Sequence, residues 1–292
     1  MLQRVDRMQL AVRDRAIAAD TLAEVLGAEM VQEDDLRLFN ATRTVVQAGE
    51  SEFELLEPAA DGPVASHLER WGEGIFAVGF STDDPGALAR RMDDRGLHFK
   101  EEGGQIFIEP DQTRGMRTVI SRASEREPVG LISSLYEVTN IVEDHEEAAS
   151  FYADTFDLDA SRFCPIKSEQ WGYSGTLTLF DPPSRLDRIE LTQTTEPSLA
   201  MGRFFARRGP SIYMCYAETG NTGAIRERLE ARGSRYTAGR ENGGGNLFIH
   251  PTALFLWPHG RCPRSTPTDS LRRRVGLRGV AFVRAPRASR SE

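Results

Sequence analysis

The chain has 292 residues, is 39% hydrophobic and 27% charged, and carries a net charge of −8. No apolar run approaches the roughly 20 residues of a membrane helix, so no membrane role is expected, and the acidic balance makes nucleic acid an unlikely partner. Three well-separated cysteines, Cys164, Cys215 and Cys262, exclude a disulfide framework and a Cys-rich zinc motif; with no signal-peptide pattern in MLQRVDRMQLAV, a cytoplasmic protein is expected.

Residues 7–12 alternate polar and apolar side chains and predict a strand. Asp14 stands at an N-cap position before an Ala/Leu-rich helix that ends at Gly27. Short strands follow over 36–40, 44–48 and 52–56, closed by Pro58, and 75–80 reads as the next. Asp84-Pro85 opens a second helix, which Gly96 ends. Strands over 105–108 and 117–120 complete the unit, and polar SRASEREPVG leads out of it.

The pattern then recurs. GALARRMDDRGLHF at 86–99 is answered by GAIRERLEARGSRY at 223–236, and GGQIFIEP at 103–110 by GGNLFIHP at 244–251. The repeat is far too long for a solenoid and predicts a duplicated unit. Asp144 and Asn221 take the two N-cap positions of the second copy. The expectation is an α+β protein with module 1 at 1–125, a linker at 126–131, module 2 at 132–260, and two helices against a curved sheet in each module. The Gly103-Gly104 and Gly243-Gly244-Gly245 runs precede strands rather than helices, so they read as turns over a cup and not as phosphate cradles.

AVRDRAIAADTLAEVLGAEMV, FELLEP and GEGIFAVGFSTDDPGALARRMDDRG, in this order, resemble the vicinal oxygen chelate superfamily of glyoxalase, bleomycin-resistance and dioxygenase type. Module 1 is most like methylmalonyl-CoA epimerases, then glyoxalase I. The resemblance implies tandem modules of paired βαβββ units, each curling into a cup-like mixed sheet around a divalent metal. That metal would polarise neighbouring substrate oxygens and stabilise an enolate. It also implies four ligand positions, which in module 1 fall at Arg7, Glu54, Ala77 and near Val119. In module 2 they fall at Glu137, Glu190, Tyr213 and near Trp257. None of His67, His98, His145, His250 or His259 falls on one.

No cofactor is therefore expected, with Glu137 and Glu190 offering at most a weak grip on a divalent metal. Arg7 and Gln9 share the strand face of the lost ligand, and Arg7 is expected to pair with Glu54 in the first cup. Trp171-Gly172-Tyr173 borders the second. The candidate catalytic bases are Glu54 and Glu190; the candidate substrate-binding residues are Arg7, Gln9, Glu137, Trp171 and Tyr213. The resemblance implies a small carbonyl or thioester substrate, handled in epimerase or glyoxalase fashion. The alternative is a metal-free small-molecule-binding protein of the bleomycin-resistance type, and either kind can be a homodimer. An extradiol dioxygenase ranks third, because neither module supplies two His and one Glu.

From Trp257 onward there are nine Arg against one Asp and one Glu, which leaves −15 on the residues before it. The segment 261–292 has no amphipathic period. It reads as a basic, disordered arm or as the product of a frame change, without a part in the fold.

Overall fold

The computed structural model describes residues 1–238, 247–249 and 279–283. It is α+β, as expected. The first half of the chain runs β1 (Arg4–Ala11), α1 (Arg15–Leu26), β2 (Glu29–Leu36), β3 (Ala41–Ala48), β4 (Ser51–Pro58), α2 (Pro63–Trp71), β5 (Gly74–Thr82), α3 (Pro85–Asp93), β6 (Phe99–Glu102), β7 (Gln105–Ile108) and β8 (Thr118–Arg122). The rest runs β9 (Ser134–Ile141), α4 (His145–Phe156), β10 (Cys164–Ser168), β11 (Tyr173–Leu179), β12 (Arg188–Thr194), α5 (Ala200–Arg208), β13 (Ser211–Glu218), α6 (Thr222–Ala231), β14 (Tyr236–Ala238), β15 (Leu247–Ile249) and β16 (Gly279–Val283). The strands form two mixed eight-stranded sheets, β2-β3-β4-β1-β5-β8-β7-β6 and β10-β11-β12-β9-β13-β16-β15-β14. The two orders match strand for strand.

The helix starts follow from the side chains read in the sequence. Asp14 accepts from the Ile17 N–H, Asp84 from Ala87, Asp144 from Glu146 and Glu147, and Asn221 from Ala224. Each supplies a partner for N–H groups that a first helical turn leaves open. Gly27, at φ +73°, closes α1 in the left-handed conformation that glycine adopts without a Cβ penalty.

Three expectations need correction. The strand placed at 36–40 lies earlier, at Glu29–Leu36, and residues Arg37–Phe39 form a 3-10 turn ending on left-handed Asn40. Nearly all of β2 is solvent-exposed, so its EMVQEDDL sequence carries no alternating apolar signal. Each half has three α-helices among the described residues, since α2 and α5 join the two that were expected. Finally, GVAFV at Gly279–Val283, inside the supposed tail, forms β16. It is a run of apolar, strand-favouring residues, and it pairs parallel to β15, whereas β8 runs antiparallel to β7. The expectations for Trp257, His250, His259, the Gly243–245 turn, and 261–278 and 284–292 of the tail lie outside the described residues.

The chain divides into two compact units. One comprises Met1–Met8, Ala77–Glu125 and Leu135–Cys215; the other comprises Gln9–Phe76, Arg126–Ser134 and the described residues from Tyr216 onward. In the first, Phe80 and Phe180 meet edge-on at 5.8 Å, and Tyr152, Phe156, Ile189 and Leu191 are wholly buried. In the second, α1 packs its buried Leu22, Val25 and Leu26 side against β3 and β4. No described helix is long and apolar enough to cross a membrane.

Candidate functional site

On β2, β3, β4 and β1 a chain of polar side chains crosses the first sheet. Glu54 on β4 has no solvent exposure. Its Oε2 accepts from Gln9 Nε2 at 2.7 Å and from Arg43 Nη1 at 3.1 Å. Arg43 also forks onto Asp34, Nε to Oδ1 at 2.8 Å and Nη2 to Oδ2 at 2.6 Å. The register explains the reach. Asp34 lies directly opposite Arg43, while Glu54 opposes Val45, two residues along on the same face. Burial disfavours the Arg43 charge, but the hydrogen bonds and charges of Asp34 and Glu54 outweigh it and raise the guanidinium pKa. The same fork holds Asp34 below the usual carboxylate range.

Arg7 is buried and donates from Nη2 to Asp6 Oδ2 at 2.7 Å. Its stem lies over Gly79, where an added β-carbon would stand 2.1 Å from Arg7 Cγ. Only a glycine on β5 leaves room for it. The sequence reading named Gln9 and Glu54 but missed Arg43 and Asp34. Their signal was present: a lone charged residue in ATRTVVQA, beside an acidic edge strand.

The second sheet brings together four of the residues singled out from the sequence. Glu137 on β9 and Glu190 on β12 share a face, with Arg188 opposite Glu137 and Thr139 opposite Glu190 in the parallel ladder. Arg188 Nη2 forms an ion pair with Glu137 Oε2. Thr139 Oγ1 donates to Glu190 Oε2 at 2.6 Å, and the Glu137 carboxyl is close enough to bear on the Glu190 proton. Burial, then the Glu137 charge, raise the Glu190 pKa well above the usual carboxylate range. Like charges at contact cannot both ionise cheaply, so Glu190 keeps its proton at neutral pH.

Beside this pair lies an apolar wall. Ile141, Tyr173, Met201 and Phe204 form a buried cluster, with Ile166, Trp171, Phe205 and Tyr213 packed against it and partly open. Phe204 and Tyr213 meet edge-on at 4.9 Å. Burial pushes the Tyr213 phenol up to about 12. Tyr173 is 3% exposed, and its hydroxyl has no hydrogen-bond partner among the described residues. Burial, then the charges of Glu190 and Glu137, raise its pKa, so it stays a neutral donor. Burial, then the Glu137 charge, likewise keep the Cys215 thiol protonated. The sequence reading missed Arg188, although it stands two residues before Glu190 and so on the same face.

A separate cleft of about 610 Å3 is lined by the Pro110–Gly115 turn, the start of α4 and Pro210. None of the candidate catalytic or substrate-binding residues lines it.

Residues 4–114 match the family model of the Glyoxalase/Bleomycin resistance protein/Dioxygenase superfamily. The chain contains a domain of that superfamily. A mutant of 4-hydroxymandelate synthase from Streptomyces coelicolor is 17% identical and aligns over 80% of this chain and 76% of its own, with a TM-score of 0.60. A methylmalonyl-CoA epimerase of the same organism, solved with 2-nitronate-propionyl-CoA, aligns over 42% of this chain and all of its own at 23% identity and a TM-score of 0.38. The uncharacterized protein YqjC of Bacillus subtilis is 26% identical over 124 residues, 39% of this chain and 89% of its own.

The metal that the glyoxalase-type fold implies does not suit these donors. In the first sheet Glu54 already carries a guanidinium, and Ala77 and Val119, at or near which the resemblance would put two further ligands, are buried and apolar. In the second, Glu137 is taken by Arg188, Glu190 holds a proton and Tyr213 a phenol. Among the described residues no three His, Cys, Asp or Glu are grouped to hold an ion. Elemental analysis of protein purified without added metal is expected to find well below one equivalent of nickel, cobalt, zinc or iron. A full equivalent surviving dialysis would contradict this.

Proposed function

We propose that this glyoxalase-type protein handles a small carbonyl or thioester compound in the cup of the second sheet, without a metal, and that Glu190 moves a proton at the carbon beside the carbonyl. The contact between Glu137 and Glu190 carries this reading. It gives Glu190 a proton affinity near that needed to take and return protons around neutral pH. In the step, ionised Glu190 removes the proton, and the C–H electron pair moves toward the carbonyl oxygen to give an enolate. Glu190 then returns the proton to the carbon. Arg188 is paired with Glu137, and Thr139 holds Glu190 in place. The aromatic wall would take the apolar body of the ligand.

The test is exchange in D2O, followed by NMR, with phenylacetone and the propionyl thioester of N-acetylcysteamine. Deuterium should enter beside the carbonyl, faster as pH rises through the Glu190 titration. Glu190→Gln should slow it by about a hundredfold or more. The partly open aromatic cluster favours a second reading, a metal-free binding protein of the bleomycin-resistance type. Quenching of Trp171 fluorescence by the same compounds without any exchange would select it. Neither quenching nor exchange would remove both.

A further inference from the structure

We propose that the Tyr173 hydroxyl is the donor that holds the ligand's carbonyl oxygen in the second cup, the task a metal performs elsewhere in this fold. The inference rests on the cup reading above and names the group that completes it.

Tyr173 is a buried member of a largely apolar cluster. Its ring packs with Ile141, Met201 and Phe204, and its hydroxyl is buried without a hydrogen-bond partner among the described residues. A buried hydroxyl left in that state is destabilising, and its conformation is held by the ring packing rather than by the hydroxyl. An acceptor oxygen brought in by a ligand would satisfy it. A neutral phenol whose ionisation is opposed by two nearby carboxyls keeps its O–H, and an acceptor oxygen takes up that donor. Tyr173 stands on β11 opposite Thr194, four residues beyond Glu190 on the same face of β12. Donor and base are therefore offset along one face. A carbonyl oxygen on Tyr173 and the adjacent carbon toward Glu190 use both groups. A neutral phenol aimed at the oxygen where charge develops is sufficient chemistry for stabilising an enolate.

Substituted phenols test this, because their oxygen mimics that of an enolate and its charge follows the ring substituent. The probes are para-methylphenol, phenol, para-cyanophenol and para-nitrophenol, with toluene as an apolar reference, titrated by calorimetry at neutral pH. Wild-type affinity should rise along the series with phenol acidity. Tyr173→Phe should flatten that rise and weaken para-nitrophenol by about tenfold or more, with toluene binding unchanged. Toluene also reports that the variant's cup is intact. If Tyr173→Phe binds toluene and retains the full rise along the phenols, the proposal is overturned while the cup reading stands. If neither toluene nor any phenol binds wild-type protein, the cup reading fails and takes the proposal with it.

Discussion

Arg43→Ala is expected to destabilise the protein by about 3–5 kcal/mol, because it strips a wholly buried carboxylate of its counter-charge. Glu54 would keep the Gln9 amide, a neutral donor that does not replace a guanidinium at a carboxylate with no solvent exposure. Asp34 would lose its fork as well, but it is partly exposed and can be solvated. The measurement is urea unfolding of wild type and variant at neutral pH. The double variant Arg43→Met with Glu54→Leu should recover most of the loss, since no buried charge is left unpaired. A loss below about 1 kcal/mol for Arg43→Ala would mean that water reaches Glu54, as only a solvent-screened pair is worth so little.

Between mildly acidic and neutral pH, stability should fall as pH rises, and Glu190→Gln should remove the fall. In the folded protein Glu190 holds its proton, raised in affinity by burial and by Glu137, whereas in the unfolded chain it titrates near its ordinary 4.5. Above that value the unfolded state loses a proton that the folded state keeps. The unfolded state then binds fewer protons, so the derivative of unfolding free energy with pH is negative. One such proton gives a slope of about −1.4 kcal/mol per pH unit. The slope ends once the folded pair itself releases the proton. Glutamine has the shape and neutrality of the protonated acid, so the difference between wild type and variant isolates this group from other titrations. A wild-type curve parallel to that of Glu190→Gln would show Glu190 ionised at neutral pH, and the proposed proton transfer would lose its basis.

The helix caps Asp14, Asp84, Asp144 and Asn221 were legible because capping is local: the side chain bonds an N–H two or three residues on. The recurrence of two phrases foresaw a recurrence of topology, and the two sheets do run in the same strand order. Strand periodicity also placed Gln9 and Glu54 on a common face, and they are hydrogen-bonded to each other. Periodicity failed where a strand has no buried face, at β2, and where short amphipathic helices lay between strands, at α2 and α5.

Partnership was not legible, because it depends on register between strands far apart in sequence. That Asp34 faces Arg43 follows from the β2–β3 ladder, and that Arg188 faces Glu137 follows from the parallel β9–β12 ladder, which joins residues some fifty positions apart. A one-residue slip would send each of these side chains to the opposite face. The sequence by itself therefore determined the fold class, the repeated strand order and which residues point inward. Only the tertiary structure decided that Glu54 is locked by Arg43, that Glu137 and Glu190 meet, and that Tyr173 stands beside them with its hydroxyl buried among apolar side chains. Propensity and period act within a few residues, whereas charge pairing and burial are set by whatever the closed sheets place across from each side chain.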